Sequence, residues 1–176
     1  RAFALVLGDC GRIDVLVSCA GLANRTPIES VTEEEWDLVT DVNLKGLFFA
    51  ARECYRAMLA QGSGKIINIA STRGHKADGR HVIYDATKAA VHAMTRAFAV
   101  AGGPRGITSN SISPGYVLTP MTAHNLERPG FVDYVHERIP LGRFLEMQEV
   151  ANLALFLASD LSSGMNGQDM ILDGGW

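Results

Sequence analysis

A chain of 176 residues in which 47% are hydrophobic can bury one sizeable core, so a single domain spanning residues 1–176 is expected. Its net charge of −3 supplies no field to gather nucleic acid or an anionic membrane surface, and no run approaches the roughly 20 apolar residues that cross a bilayer. Three cysteines, Cys10, Cys19 and Cys54, lack any Cys-x-x-Cys spacing, which argues against a disulfide scaffold or zinc site. They read as core thiols in a cytoplasmic protein. The five histidines, His75, His81, His92, His124 and His136, have no i, i+4 pair of the kind that ligates a metal from one helix, so no metal is expected.

The opening Arg1-Ala2-Phe3-Ala4-Leu5-Val6-Leu7 reads as the tail of a helix stopped near Gly8 and Gly11. Ile13-Asp14-Val15-Leu16-Val17-Ser18 follows as a buried parallel strand, ending at Cys19-Ala20-Gly21, where small residues let backbone approach a ligand. Thr32-Glu33-Glu34-Glu35 has the form of a capping box, with Thr32 accepting from the backbone and Glu35 reaching back. Trp36, Val39, Val42, Gly46, Phe49 and Ala50 then recur at helical spacing, to about Gln61. Asn43 interrupts that helix, because its amide competes for backbone hydrogen bonds. The apolar run Lys65-Ile66-Ile67-Asn68-Ile69-Ala70 reads as a buried strand whose carboxyl end delivers the Ser71 hydroxyl into a crevice.

Tyr84 and Lys88 stand four apart, on one face of the next helix. An ammonium about 4–6 Å from a phenol lowers its pKa by roughly 1–3 units, which brings proton exchange toward neutral pH. This helix is rich in alanine, which permits close helix contact. Thr108-Ser109-Asn110-Ser111-Ile112-Ser113 is a further short strand, broken by Pro114-Gly115-Tyr116-Val117-Leu118-Thr119-Pro120. Residues 121–139 show no sustained periodicity, and an apolar-faced helix over Gln148 to Leu157 and a strand at Met170-Ile171-Leu172 close the chain. Strands alternating with helices predict βαβ units and a parallel sheet.

The order strand-Ser71, helix-Tyr84/Lys88, strand-Pro114-Gly115 resembles the short-chain dehydrogenase/reductase family. The resemblance implies an α/β, Rossmann-like doubly wound parallel sheet of which this chain holds the carboxyl-terminal portion. It further implies Tyr84 as the acid/base, Ser71 holding the substrate oxygen, Lys88 lowering the Tyr84 pKa while bonding a nicotinamide ribose, and Asn43 anchoring a water relay. Ala20 and Gly21 match the end of the family's Asn-Asn-Ala-Gly, with Ser18 and Cys19 in place of the asparagines. Pro114, Gly115, Val117 and Thr119 match the stretch that meets the nicotinamide carboxamide, and residues 121–139 match a substrate-selecting lid.

NAD or NADP, an alcohol or ketone substrate and a homo-dimer or homo-tetramer are implied on the same ground. Arg143-Phe144 and the ending Asp173-Gly174-Gly175-Trp176 look similar to sugar-acid and polyol dehydrogenases, while much of the chain resembles 3-oxoacyl thioester reductases. No Gly-x-x-x-Gly-x-Gly phosphate loop stands in the sequence. Two expectations follow: the record starts after that loop, or the chain is a fragment that assembles but binds no dinucleotide. Without the strands that precede it in relatives, the strand over residues 14–18 would become an open apolar edge.

Overall fold

Apolar, β-branched runs separated by one-sided helices are stable when the strands lie parallel and helices cover both faces of the sheet, and the chain takes this form. The computed structural model describes residues 2–77 and 79–176. Helix α1 (Ala2–Cys10) leads to β1 (Val15–Ser18), and α2 (Glu33–Thr40) and α3 (Leu47–Gln61) lead to β2 (Gly64–Ile69). Helix α4 (Val82–Gly102) then precedes β3 (Ile107–Pro114), and α5 (Pro120–Leu126), α6 (Phe131–Arg138) and α7 (Met147–Ala158) precede β4 (Asp169–Leu172). The strands pair in parallel in the order β1-β2-β3-β4.

Neighbouring residues of β2 face opposite layers, as strand geometry requires. Ile66 packs with Ala51, Cys54 and Met58 of α3 and with Ile107, while Ile67 packs with Ile112 and with Leu157 of α7. The sheet is therefore covered on both sides, in the doubly wound manner expected. Each of these fully buried aliphatic side chains contributes on the order of 1.5–3 kcal/mol.

Strand β3 is polar in sequence yet buried, and apart from the Ser109 hydroxyl its buried polar side chains find partners. Asn110 donates to the Met165 carbonyl at 2.9 Å and accepts from the Gln168 amide at 3.0 Å, and Ser111 donates to Asp169 at 2.6 Å.

Four local expectations are corrected. Thr32 does accept from the Glu35 amide at 3.2 Å, but the Glu35 carboxylate does not reach back; it accepts from the Thr26 hydroxyl at 2.6 Å, so the loop after β1 takes the second half of the box. The single helix expected to about Gln61 is divided by a π-helical turn, Asp41–Gly46, at the asparagine that interrupts the pattern. Residues 121–139 fold into α5 and α6 despite their weak periodicity, since Val135 and Ile139 bury against Phe144 with Tyr116, Phe131 and Trp176 around them. Finally, Cys10 and Cys19 are exposed; only Cys54 is a core thiol.

Strand β1 lies at one edge of the sheet, with Val15 36% and Val17 45% exposed, so the buried strand read from composition is half open. No helix among the described residues is long and apolar enough to cross a membrane.

Candidate active site

Parallel strands place their carboxyl ends at one rim of the sheet, and the chemistry-bearing residues gather there. Beyond β2, Ser71 is extended, and its hydroxyl accepts from the Arg73 amide at 3.1 Å, capping the short turn Thr72–Gly74. The next helix, α4, begins without a side-chain cap from His81. Its open amides are met from the loop after β1, where Asn24 accepts from the Tyr84 amide at 3.1 Å. That bond fixes the turn of helix that carries the phenol.

The half-buried Tyr84 side chain faces the Ser71 hydroxyl, which holds its pKa down. One turn on, the Lys88 ammonium lies 5.6 Å from the Tyr84 ring centroid and donates to the Ile69 carbonyl at 2.8 Å. From the π-helical turn, the buried Asn43 accepts from the Leu22 amide at 2.7 Å, donates to the Leu22 carbonyl at 2.8 Å, and donates to the Thr87 hydroxyl at 3.1 Å. Thr87 in turn donates to the Tyr84 carbonyl at 2.8 Å. Gly21 closes the group from above: a methyl placed on it would stand 3.5 Å from Asn43 Oδ1 and 3.6 Å from Lys88 Nζ.

Ser71, Tyr84 and Gly115 line a cleft of about 390 Å³ together with Asn24, Arg25, Arg73, His81, Asn125 and the Tyr116–Trp176 pair. Those two rings stack at 4.9 Å, and Lys76 holds Trp176 from behind, donating to its carbonyl at 2.6 Å.

The sequence pattern of the family described as enoyl-(acyl carrier protein) reductase matches residues 1–176. The chain belongs to the short-chain dehydrogenase/reductase family. It is 36% identical over 172 residues to a gluconate 5-dehydrogenase of Gluconobacter oxydans, covering 98% of this chain and 67% of that relative. It is 41% identical over 170 residues to a 3-oxoacyl-[acyl-carrier-protein] reductase of Thermotoga maritima, covering 97% and 68%. The structure of a gluconate 5-dehydrogenase from Burkholderia cenocepacia, solved in complex with NADP and tartrate, superposes with a TM-score of 0.95 at 36% identity over 99% of this chain and 68% of that one. The chain thus spans about two thirds of the length of these relatives.

Of the positions expected in a short-chain dehydrogenase/reductase, the structure gathers Asn43, Ser71, Tyr84, Lys88 and Gly21 at one point and brings Gly115 to the same cleft. Ala20 is exposed just beyond β1, and Pro114 ends β3. Val117 and Thr119 do not line the cleft: the Val117 carbonyl accepts from the Thr122 hydroxyl at 2.6 Å, and the Thr119 hydroxyl caps α5, accepting from the Thr122 amide at 3.3 Å. The Thr119 hydroxyl, from the stretch expected to meet the nicotinamide carboxamide, is thereby engaged within its own helix cap.

The electrostatics depart from expectation in one respect. Burial raises the Tyr84 pKa above that of an ordinary phenol, with the Asp85 charge acting in the same direction, while the Ser71 hydrogen bond and Arg73 pull it down. Lys88 was expected to lower it. Its ammonium instead lies over the ring, and burial pushes the Lys88 pKa itself down to about 8, with Cys19 opposing. The phenol therefore rests protonated at neutral pH, ready to give its proton.

Sequence reasoning missed Asn24, Thr87 and the ion pair of Arg73 with Asp85, which closes bidentately at 2.8 and 2.6 Å beside Tyr84. Asn24 and Arg73 lie in aperiodic loops, so nothing local marks them.

Replacing Asn43 by alanine is expected to lower stability by about 2–3 kcal/mol, because Leu22 and Thr87 lose buried partners together. Urea denaturation measures it; an unshifted midpoint would show that the bonds contribute little.

Proposed function

We propose that this chain supplies the catalytic side of an NAD(P)-dependent oxidoreductase that moves a hydride between the nicotinamide and an alcohol or ketone, with a sugar acid or polyol as substrate. The observation that carries the reading is the meeting of Tyr84, Ser71 and a buried Lys88 ammonium at the carboxyl rim of the sheet. Lys88 is 5% exposed, and its one hydrogen bond goes to the Ile69 carbonyl. An ammonium has three donors, so two remain for a polyhydroxylated ligand such as the nicotinamide ribose. Ser18 Oγ is a further buried polar atom without a partner, at the end of β1 on this side of the sheet. These residues fit the ribose-nicotinamide end of a dinucleotide, which when bound supplies or accepts the hydride.

In the reducing direction Tyr84 gives its proton to the carbonyl oxygen, while Ser71 holds that oxygen by its hydroxyl. In the oxidising direction the phenolate takes the proton back. Asn43 couples the π-helical turn to the Tyr84 backbone through Thr87 and so keeps the acid/base in place.

The substrate class rests on charge. Arg25 and Arg73 line the cleft, and among the described lining residues there is no acid. Arg73 is neutralised by Asp85, whereas Arg25 is hydrogen-bonded to the uncharged Asn125 at 3.0 Å. A guanidinium so placed suits the carboxylate of a sugar acid. In the natural protein, Arg25→Leu is expected to raise KM for a sugar acid about tenfold or more and to leave KM for a neutral polyol nearly unchanged. Equal effects on both would refute the carboxylate contact. The reading as a whole is tested by following nicotinamide absorbance with sugar acids, polyols and 3-oxoacyl thioesters, using both NAD and NADP. Turnover of thioesters alone would replace the substrate class and keep the reaction.

Phe48 and Phe49 on α3 and Val100 on α4 are 39%, 44% and 79% exposed, which supports a homo-dimer or homo-tetramer formed through these two helices.

A further inference from the structure

Three side chains from distant parts of the sequence come together outside the cleft lining. His75 comes from the turn after Ser71, His92 from α4 one turn beyond Lys88, and Asp169 from the start of β4. Their ligand atoms all lie within 4.8 Å of one another. His75 Nε2 is 2.6 Å and His92 Nε2 3.5 Å from the same carboxylate oxygen, Asp169 Oδ2, and the two imidazole rings stack at 4.3 Å. Gly74 makes this approach possible: a methyl on it would stand 2.5 Å from His92 Cε1 and 3.0 Å from the Lys88 carbonyl.

We propose that His75, His92 and Asp169 form a binding site for a divalent transition-metal ion of the Zn²⁺ class. Two imidazoles and one carboxylate make a borderline donor set, suited to Zn²⁺ or Co²⁺ rather than to Mg²⁺ or Ca²⁺, which take oxygen ligands. Bonds of about 2.0–2.2 Å in tetrahedral geometry put neighbouring ligand atoms about 3.4 Å apart. His92 and Asp169 already meet that separation at 3.5 Å. His75 has to withdraw by less than about 1 Å from its hydrogen bond, and it can do so because its side chain is 40% exposed on a turn. The fourth position opens on that exposed side to water.

The surroundings are those of a supported ligand. Asp169 Oδ1 accepts from the Ser111 hydroxyl at 2.6 Å and from Ser113 at 2.9 Å, which fixes the carboxylate's orientation; the Ser113 hydroxyl also stands 2.8 Å from Oδ2 and 3.0 Å from His92 Nε2, the atoms that would take the ion, and has to give up those two contacts when it binds. An ion held here would tie the Ser71 turn, the Tyr84 helix and the last strand together. Spacing along the sequence, which tests only pairs on one helix, gives no sign of it.

The natural protein, freed of metal with a chelator and dialysed, would be titrated with Co²⁺ and followed by its visible d–d absorption, with Zn²⁺ followed by calorimetry and thermal melting. One ion per chain is expected, with the strong absorption of tetrahedral Co²⁺ and a melting temperature that rises on addition of Zn²⁺. His75→Ala, on the exposed turn, and the isosteric Asp169→Asn are each expected to weaken binding at least tenfold and to abolish the Zn²⁺-dependent rise. His136→Ala, remote from the cluster in the sequence and on another helix, should leave the titration unchanged. Absence of one-to-one binding in the parent protein, or equal binding in His75→Ala and Asp169→Asn, would overturn the proposal and leave the three residues as a hydrogen-bonded tie.

Discussion

Tyr84→Phe is expected to lower kcat by about a thousandfold while leaving dinucleotide affinity within about twofold, because the change removes the transferable proton and little else. The ring stays beneath the Lys88 ammonium, and Lys88 keeps its bond to the Ile69 carbonyl. Hydride transfer followed by nicotinamide absorbance, with affinity measured by fluorescence titration of the natural protein, separates the two effects. A variant that kept kcat within tenfold would remove Tyr84 from proton transfer. A variant that lost affinity and turnover in equal measure would make its role one of binding.

The second large effect is on stability. Arg73→Ala takes the bidentate guanidinium away from Asp85, whose side chain is only 10% exposed. Breaking a fully buried ion pair from one side costs about 3–5 kcal/mol; here Arg73 is 22% exposed, so water can enter and the expected loss is nearer 2–3 kcal/mol. Urea denaturation of Arg73→Ala, Asp85→Ala and the double variant forms a cycle in which the pair should couple by more than about 1 kcal/mol. Additive losses would show that the two side chains act independently. The same substitution also removes one of the influences holding the Tyr84 pKa down, so the acid limb of the pH–rate profile for oxidation, which needs the phenolate, should move upward, as should the alkaline limb for reduction, which needs the phenol.

The sheet was legible because its strands are short apolar runs in a chain whose helices announce themselves by period and by cap. Ser71, Tyr84 and Lys88 were legible because a strand end and a four-residue helical step are local facts. What escaped is long-range. Asn24 caps a helix 60 positions away, and Glu35 gives up its own capping box for Thr26. His75, His92 and Asp169 meet only because Ser111 pairs with Asp169 across β3 and β4. The direction of the Tyr84 shift escaped for another reason: a Tyr-x-x-x-Lys spacing reports proximity, whereas burial, which wins here, belongs to the folded surroundings.

The π-helical turn at Asp41–Gly46 also acts as a phase shifter. An α-helix advances about 100° per residue, so one additional residue in a turn sets the angular position of everything after it. Leu47, Ala51, Cys54 and Met58 face the core only with that offset in place, while Val39 is buried before it. Winding the same six residues at ordinary α-helical pitch, or inserting one more residue between 41 and 46, would rotate α3 by nearly a third of a revolution relative to α2, carrying Met58 away from β2. The segment should therefore tolerate substitutions at its exposed positions far better than an inserted residue.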